Sequence, residues 1–164
     1  MFIALAFVNS PELVFLDELT QGLNPQARRA TWDLIREIRE GGTTVVLVTH
    51  FMDEAEHLCD RVAVVDGGRV VAVDTPQGLI DGLGLPSIVR FTASGQELDW
   101  LANVPGVGSM SWRGDTVEVR GTGPLLALVA AELVARGIRP LDLRVDRPTV
   151  EDAFLALTGR ELRE

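Results

Sequence analysis

The chain has 164 residues, of which 46% are hydrophobic, and its formal net charge is −9. This size allows one domain or two small ones, and the acidic balance argues against a surface that binds the phosphates of nucleic acids. All 15 basic residues are arginine, and the single cysteine, Cys59, excludes an intramolecular disulfide and a cluster of thiolate metal ligands.

The first predicted strand ends in two charges. Residues 1–8 are interpreted as the end of a helix, and NSP after them as a turn. The strand from Leu13 to Asp17 has four consecutive apolar residues, a pattern typical of strands buried on both faces, and it stops at the adjacent carboxylates of Asp17 and Glu18. Because an unpaired buried carboxylate is costly, we expect this pair to meet water, a cation or hydrogen-bond donors.

A helix and a second strand follow. Asn24 and Pro25 have the pattern of a helix cap followed by proline in the first turn, and the apolar face of the helix stops at the glycine pair that begins with Gly41. Residues 43–49, TTVVLVT, are predicted to form a second buried strand, which ends at His50 and precedes a short acidic helix. Two buried strands joined by a helix form a parallel unit, and ligands bind beyond the carboxyl ends of such strands.

The rest of the chain divides into a hairpin and a second domain. RVAVVDGG and RVVAVDT are predicted strands joined by the turn DGG. From about Leu83 the pattern changes to short strands and helices, which predicts a small α+β domain over residues 83–164 without a catalytic set of residues. Its predicted strands are SIVRFTA, GSMSW, TVEVR and LDLRVDRP, and its predicted helices are ELDWLANV, PLLALVAAELVARG and TVEDAFLALTGREL. Thr149 and Asp152 form a capping-box pattern at the last helix.

Several single residues have ordinary structural interpretations. His57 lies on the acidic helix and is predicted to be a solvated side chain. Trp32, Trp100 and Trp112 are predicted to pack in cores or interfaces, and Cys59 to be a buried helix residue.

Three segments form an ordered set that resembles a known family. The strand LVFLDE, the turn TQGLNP and the strand TTVVLVTH with its acidic helix are similar to the C-terminal half of an ABC transporter ATP-binding subunit, especially in bacterial drug and antibiotic exporters of the daunorubicin-resistance type. The tail RPTVEDAFLALTGREL resembles the end of the small domain of those subunits. The resemblance implies an α/β fold, with a partial P-loop NTPase-type parallel sheet in residues 1–82 and a small α+β accessory domain in residues 83–164.

The resemblance also implies roles for the residues at the strand ends. Asp17 matches the Walker B aspartate, which helps to hold Mg²⁺, and Glu18 matches the carboxylate that polarises the attacking water. His50 matches the switch histidine that contacts the γ-phosphate. These roles fit phosphoryl transfer, which needs a metal to neutralise charge, a positioned water and donors to the phosphate.

The turn after Glu18 matches the D-loop, which in the family crosses to the partner subunit. The resemblance implies a nucleotide-binding role for four of its residues, Gln21, Gly22, Leu23 and Asn24. Asn24 stands where aspartate is usual in the family, so the turn keeps a helix cap but has one charge fewer.

Three family motifs are not found in the sequence. There is no G-x-x-x-x-G-K-[ST] loop, no Q-loop and no LSGGQ signature. Ser94-Gly95-Gln96 imitates the signature, but it follows His50 and is interpreted as a surface turn. The expectation is a subunit whose N-terminal half is missing, and which is inactive as an ATPase by itself.

The complete subunit is expected to bind ATP and Mg²⁺ and to couple ATP hydrolysis to export. Its expected partners are a membrane permease subunit and a second ATP-binding subunit, in a homodimer, and not a nucleic acid. Its expected location is cytoplasmic, peripheral at the inner face of the cell membrane.

Two alternatives stay open. The first is a non-catalytic remnant that folds and pairs but binds no nucleotide. The second is an ABC-type ATPase that acts on DNA or ribosomes, which the acidic balance and the exporter-like tail disfavour.

Overall fold

A computed structural model of the chain describes residue 9 and residues 11–93, 97–140 and 142–159. The predicted helix end at residues 1–8 and the predicted surface turn at residues 94–96 lie outside the described residues, as does the middle residue of the NSP turn. The described chain forms two compact units. The first contains the residues up to Leu79 and those from Phe154 onward, and the second contains Ile80–Ala153.

The first unit is built on a pair of parallel strands. β1 (Leu13–Asp17) and β2 (Thr44–Val48) lie side by side in parallel, and α1 (Pro25–Glu40) connects them. Asp17 is opposite Val48, so the two strands end at the same edge. This is the predicted parallel unit, and it confirms the α/β class.

One face of the strand pair is packed and the other is open. Val14 and Leu16 pack with Ile35 and Leu58 in a small core. On the other face, the apolar side chains of the two strands are exposed by 38–69%, and the most exposed is Phe15 at 69%. The prediction that this strand is buried on both faces is therefore wrong for the described residues, because nothing in this part of the chain covers its second face.

Three shorter elements continue the first unit. α2 (Met52–Leu58) follows β2, and β3 (Val62–Asp66) and β4 (Arg69–Asp74) form an antiparallel hairpin. The predicted hairpin turn is confirmed, since Gly67 and Gly68 both have positive φ, at 56° and 75°.

The sequence prediction lacks one helix, α3 (Pro76–Gly82). Thr75 caps it, because its hydroxyl accepts a hydrogen bond from the backbone N–H of Gly78 at 2.9 Å. A capping residue followed by proline marks the start of both helices, Asn24 and Pro25 at α1 and Thr75 and Pro76 here, so the sequence contained the information for this helix.

The second unit is an antiparallel sheet with a fully buried core. Its strands are β5 (Ser87–Thr92), β6 (Val107–Arg113), β7 (Thr116–Gly121) and β8 (Arg144–Asp146), in the order β6-β7-β5-β8. α4 (Leu125–Ala135) and a 3₁₀ helix (Asp99–Asn103) contribute to the core. The core includes alternate residues of the two central strands and one face of α4: Val89, Phe91, Val117, Val119, Leu125, Val129 and Leu133.

The segment ELDWLANV differs from its prediction, because it forms a 3₁₀ helix of five residues instead of an α-helix. Leu98, Leu101 and Val104 are all buried. Their spacing of three residues matches the three residues per turn of a 3₁₀ helix, which places all three on one face.

The last helix, α5 (Val150–Thr158), has the predicted capping box. The Asp152 carboxylate accepts from the backbone N–H and the hydroxyl of Thr149, each at 2.8 Å. Within the described part of the chain, every helix is too short or too polar to cross a lipid bilayer.

Candidate functional site

The two adjacent carboxylates leave the sheet where β1 ends. Asp17 and Glu18 are both exposed. The backbone N–H of Glu18 still bonds to the Val48 carbonyl at 2.8 Å, which extends the strand pairing by one residue. Glu18 has φ of 45°, the only positive φ of a residue other than glycine in the described chain. A left-handed conformation of this kind costs about 1–3 kcal/mol and is most frequent at functional sites.

His50 lies beside Glu18, although 32 positions separate them in the sequence. Its Nδ1 is 3.2 Å from Glu18 Oε1, and both side chains are partly exposed. The ring of Phe51 packs against the imidazole, with 4.2 Å between the ring centroids. The ends of two neighbouring parallel strands therefore bring together the carboxylate and the imidazole that the sequence singles out.

The turn between Glu18 and α1 is a series of exposed backbone bends. Gln21 N–H bonds to the Glu18 carbonyl and Leu23 N–H to the Thr20 carbonyl, each at 3.1 Å. Gly22 has φ of 75°, and all four residues from Gln21 to Asn24 are exposed. Asn24 Oδ1 accepts from the Ala27 N–H at 2.8 Å, so the predicted helix cap is present. The structure does not bring these side chains to Glu18 or His50; it leaves them on the surface.

A buried carboxylate that the sequence analysis missed lies behind this site. Glu54 of α2 is 1% exposed, and its Oε1 accepts from the Thr20 hydroxyl and from Trp32 Nε1–H at 3.2 Å. Its Oε2 accepts from the Thr49 hydroxyl at 2.7 Å. The sequence contained one signal that Glu54 is buried: it is next to Ala55 and four residues before Leu58. These three residues form the buried face of α2.

A second group of contacts joins α1 to α2 at the surface. The guanidinium of Arg28 lies 4.1 Å over the Phe51 ring and 3.7 Å from the Asp53 carboxylate. His57 is exposed as predicted, and its ring also stacks on Trp32 with 5.3 Å between the centroids. The two helices are thereby fixed to each other beside the predicted catalytic residues.

The donor set fits part of a magnesium–nucleotide site. In the ranges that the structure describes, no group of three or more His, Cys, Asp or Glu side chains is placed to hold a metal ion. Magnesium that is bound with a nucleotide takes one or two carboxylates and completes its shell with phosphate and water oxygens. One exposed carboxylate such as Asp17 is therefore a suitable protein ligand for the metal. The phosphate additionally needs N–H donors from another part of the protein.

Curated proteins related to this chain are ATP-binding proteins of exporters. The chain is 39% identical to Nod factor export ATP-binding protein I of Cupriavidus pinatubonensis over 99% of its own length and 49% of that protein. It is 39% identical to the protein of the same name in Rhizobium johnstonii, over 99% of the chain and 51% of that protein. It is 36% identical to daunorubicin resistance ATP-binding protein DrrA2 of Streptomyces coeruleorubidus, over 96% of the chain and 51% of that protein.

A solved structure described as an ATP-binding subunit of an ABC transporter is 32% identical, covers 45% of this chain and 31% of its own, and has a TM-score of 0.42. No protein-family model matches the chain. The chain spans about half the length of the curated relatives that it matches. These relatives confirm the resemblance that the order of the motifs indicates: over nearly its whole length the chain is similar to ABC ATP-binding proteins, and it matches about half of each of them.

Proposed function

We propose that this chain is the C-terminal portion of an energy-coupling subunit that hydrolyses ATP for an exporter. The observation that carries the proposal is the pair formed by Glu18 and His50, 3.2 Å apart at the ends of neighbouring parallel strands. Asp17 is adjacent, so groups suited to a metal, a water and a phosphate converge on one edge of the sheet. The names of the relatives support an export function.

Each of the three residues has one task in the proposed reaction. Asp17 would hold Mg²⁺, which supplies charge neutralisation to the phosphates when it is bound. Glu18 would orient the attacking water and accept its proton, since an ionised carboxylate only accepts hydrogen bonds. His50 would donate to the γ-phosphate from Nε2, the ring nitrogen that does not face Glu18.

This arrangement determines how many N–H donors His50 needs in the proposed reaction. Nδ1 can bond to an ionised Glu18 only as a donor, and Nε2 can bond to a phosphate oxygen only as a donor. A neutral imidazole has one N–H, so it cannot serve both partners. The two contacts proposed for His50 therefore require an N–H on each of its ring nitrogens.

The remaining parts of the machinery belong to the proposed complete subunit. These parts are the phosphate loop, the ATP and Mg²⁺ that it binds, a second ATP-binding subunit and a membrane permease. The exposed turn from Gln21 to Asn24 is in a suitable place to meet a second subunit, because its side chains are free of the first unit's core. The complete subunit would lie in the cytoplasm against the membrane, where the permease holds it.

One observation favours a second candidate function. The sequence contains neither a phosphate loop nor any lysine to place in one. A non-catalytic remnant that folds and pairs with another subunit is consistent with that composition.

Complementation separates the two candidates. The chain is produced together with the N-terminal half of the Cupriavidus pinatubonensis relative, the complex is purified, and ATP hydrolysis is measured. The exporter proposal expects Mg²⁺-dependent hydrolysis by the complex and none by either half. A stable complex that hydrolyses no ATP would support the remnant instead.

A further inference from the structure

We infer that Glu54 is a positioning residue, which holds the segment of Glu18 and the segment of His50 in register with each other; its importance for turnover rests on the function proposed above. Glu54 reaches neither the solvent nor the exposed edge where the reaction is proposed to occur. It acts through two threonines that are adjacent or nearly adjacent in sequence to the proposed catalytic residues.

The hydrogen bonds of Glu54 join three separate segments. Thr20, two positions after Glu18, donates to Oε1, and Thr49, one position before His50, donates to Oε2 at 2.7 Å. Trp32 of α1 donates to Oε1 at 3.2 Å. One carboxylate thus connects the turn after β1, the loop after β2 and the helix between the two strands.

The environment of Glu54 makes these contacts obligatory. Glu54 and Thr20 are each only 1% exposed, so water does not replace a lost partner. A buried carboxylate without donors is strongly unfavourable, and the three donors offset that cost. The carboxylate is for this reason a fixed point against which both loops are held.

Glu18 depends on such a fixed point. Its φ of 45° is unfavourable for a residue with a side chain, so neighbouring contacts must maintain it. Its own N–H and carbonyl bond to Val48 and Gln21, Leu19 packs against the small core, and the Thr20 hydroxyl then bonds to Glu54. Without that bond the turn can relax, and the 3.2 Å contact between Glu18 and His50 is lost.

The Thr49 side of the network orients His50 in the same way. The Thr49 hydroxyl donates to Glu54 and accepts from the Phe51 N–H at 3.0 Å, so it spans the backbone on both sides of His50. The ring of Phe51 then packs against the imidazole. The positions of both Glu18 and His50 therefore depend on hydrogen bonds to one buried group, the Glu54 carboxylate.

The test uses the full chain and the ring signals of His50 in nuclear magnetic resonance spectra. The chain has two histidines, so two sets of ring signals are expected, and a His57→Gln variant assigns them. Glu18→Gln should shift the His50 ring signals in the otherwise unchanged chain. In a Glu54→Gln background, Glu18→Gln should shift the His50 ring signals at least threefold less, because Glu18 and His50 are no longer in contact. Glu40→Gln, which changes an exposed carboxylate on α1, is the matched control background and should leave the full shift.

Thr20→Val provides a second background, since it removes one donor and keeps the shape of the side chain. It should also reduce the response of His50 to Glu18→Gln. A full response in folded Glu54→Gln and Thr20→Val chains would overturn the inference, and so would a His50 signal that ignores Glu18→Gln in the starting chain. If both variants unfold, Glu54 is a structural residue only, and the inference is also overturned.

A second measurement separates this inference from the proposed function. In the complemented complex, Glu54→Gln and Thr20→Val should lower kcat by about tenfold or more and leave the KM for ATP unchanged, because displacement of reacting groups slows chemistry more than binding. A complex without any ATPase activity would contradict the proposed function, and the spectroscopic result would still decide the role of Glu54.

Discussion

At the scale of single residues, Glu18 combines an unfavourable backbone with an exposed, charged side chain. A glycine would adopt φ of 45° at no steric cost, so the side chain must be the reason for a glutamate at this position. Among the residues that the structure describes, that side chain makes its polar contact with His50, at 3.2 Å. A carboxylate that is held in a strained turn, is exposed to solvent and lies beside an imidazole has the arrangement that the proposed catalytic role requires.

Substitutions at this pair test the proposed roles in the complemented complex. Glu18→Gln should abolish ATP turnover and leave nucleotide binding, because the amide keeps the shape and loses the charge that accepts the proton of water. His50→Ala should slow turnover by about a hundredfold or more if the imidazole stabilises charge in the transition state. Steady-state hydrolysis and a fluorescent-nucleotide titration measure the two effects. Normal rates in both variants would show that the roles are wrongly assigned.

In the second unit, Glu118 is an acidic side chain whose ionised form is stabilised. It is 5% exposed and accepts from Arg90 Nε at 2.9 Å, and Arg113 lies 3.7 Å away. The hydrogen bond from Arg90, with smaller contributions from the nearby arginine charges, lowers the pKa of Glu118 below its ordinary value of 4.5. Since the pKa is lower in the folded state, the stabilisation is present above pH 4.5 and is lost as the pH falls below that value.

Glu118→Gln should therefore destabilise the chain at pH 7 and have a smaller effect at pH 3.5, because that pH lies below the ordinary pKa of 4.5 at which the stabilisation begins to be lost. Urea unfolding of both chains at the two pH values measures the difference. Asp142, whose pKa is also lowered, is present in both chains and cancels in the comparison. The control is Glu97→Gln, which changes an exposed carboxylate in the same unit. An equal loss of stability at both pH values would contradict the assignment.

At the scale of secondary structure, the sequence predicted the elements whose signals are local. The cap at Asn24, the hairpin turn at Gly67 and the capping box at Thr149 depend on residues within a few positions of each other, and all three are present. The 3₁₀ helix was predicted as an α-helix, because its three-residue spacing becomes decisive only when the core of the second unit is in place.

In the candidate site, too, the sequence predicted the features with local signals and missed the one that depends on long-range contacts. The sequence placed Asp17, Glu18 and His50 at strand ends, and the parallel register brings the last two together. It did not identify Glu54, because the donors of that carboxylate lie in three segments that only the fold assembles. A buried acid on an amphipathic helix has the same local pattern as an apolar residue, and its hydrogen bonds are long-range contacts.

Two strand edges in the first unit border an open cleft. β2 pairs only with β1 and β3 only with β4 among the described strands, so each has an edge without a partner. A cleft of about 840 Å³ is lined by residues of both strands and by Cys59. The chain spans half the length of its relatives, and the unpaired edges have the hydrogen-bonding groups that another strand requires. We expect a strand from the N-terminal portion of the proposed complete subunit to occupy the cleft.

Cys59 is a suitable reporter of this occupancy, because it is the only cysteine and lines the cleft. Burial, followed by the charge of Asp60, raises the pKa of its thiol, so reaction with a thiol reagent at pH 8 should be slow but measurable. The N-terminal half should reduce the rate at least tenfold in the complex. Val46→Lys, which puts a charge on β2, should weaken this protection. An unchanged rate in a confirmed complex would mean that the strand docks elsewhere.

At the scale of the whole molecule, the two units differ in how complete they are. The second unit has a core of fully buried residues from both its sheet and its helices. The first unit has a smaller core and an apolar sheet face on which Leu13, Phe15, Val46 and Val48 are exposed by 47%, 69%, 38% and 52%. Exposed apolar faces of this kind favour association with a partner. The first unit is also the one that contains the proposed catalytic residues, so the N-terminal portion of the proposed complete subunit would both cover apolar surface here and supply the phosphate loop.

The isolated chain should accordingly fail to bind ATP. Asp17 and Glu18 add negative charge where the phosphates would lie, and Mg²⁺ offsets this repulsion only in part. The backbone N–H groups and the lysine of a phosphate loop normally supply most of the phosphate binding, and this sequence has neither the loop nor a lysine. Calorimetric titration of the purified chain with Mg²⁺-ATP should show no saturable binding at millimolar nucleotide, whereas the complex with the N-terminal half should bind at micromolar concentration. Micromolar affinity of the isolated chain would mean that its own residues form a phosphate site that the family pattern does not contain.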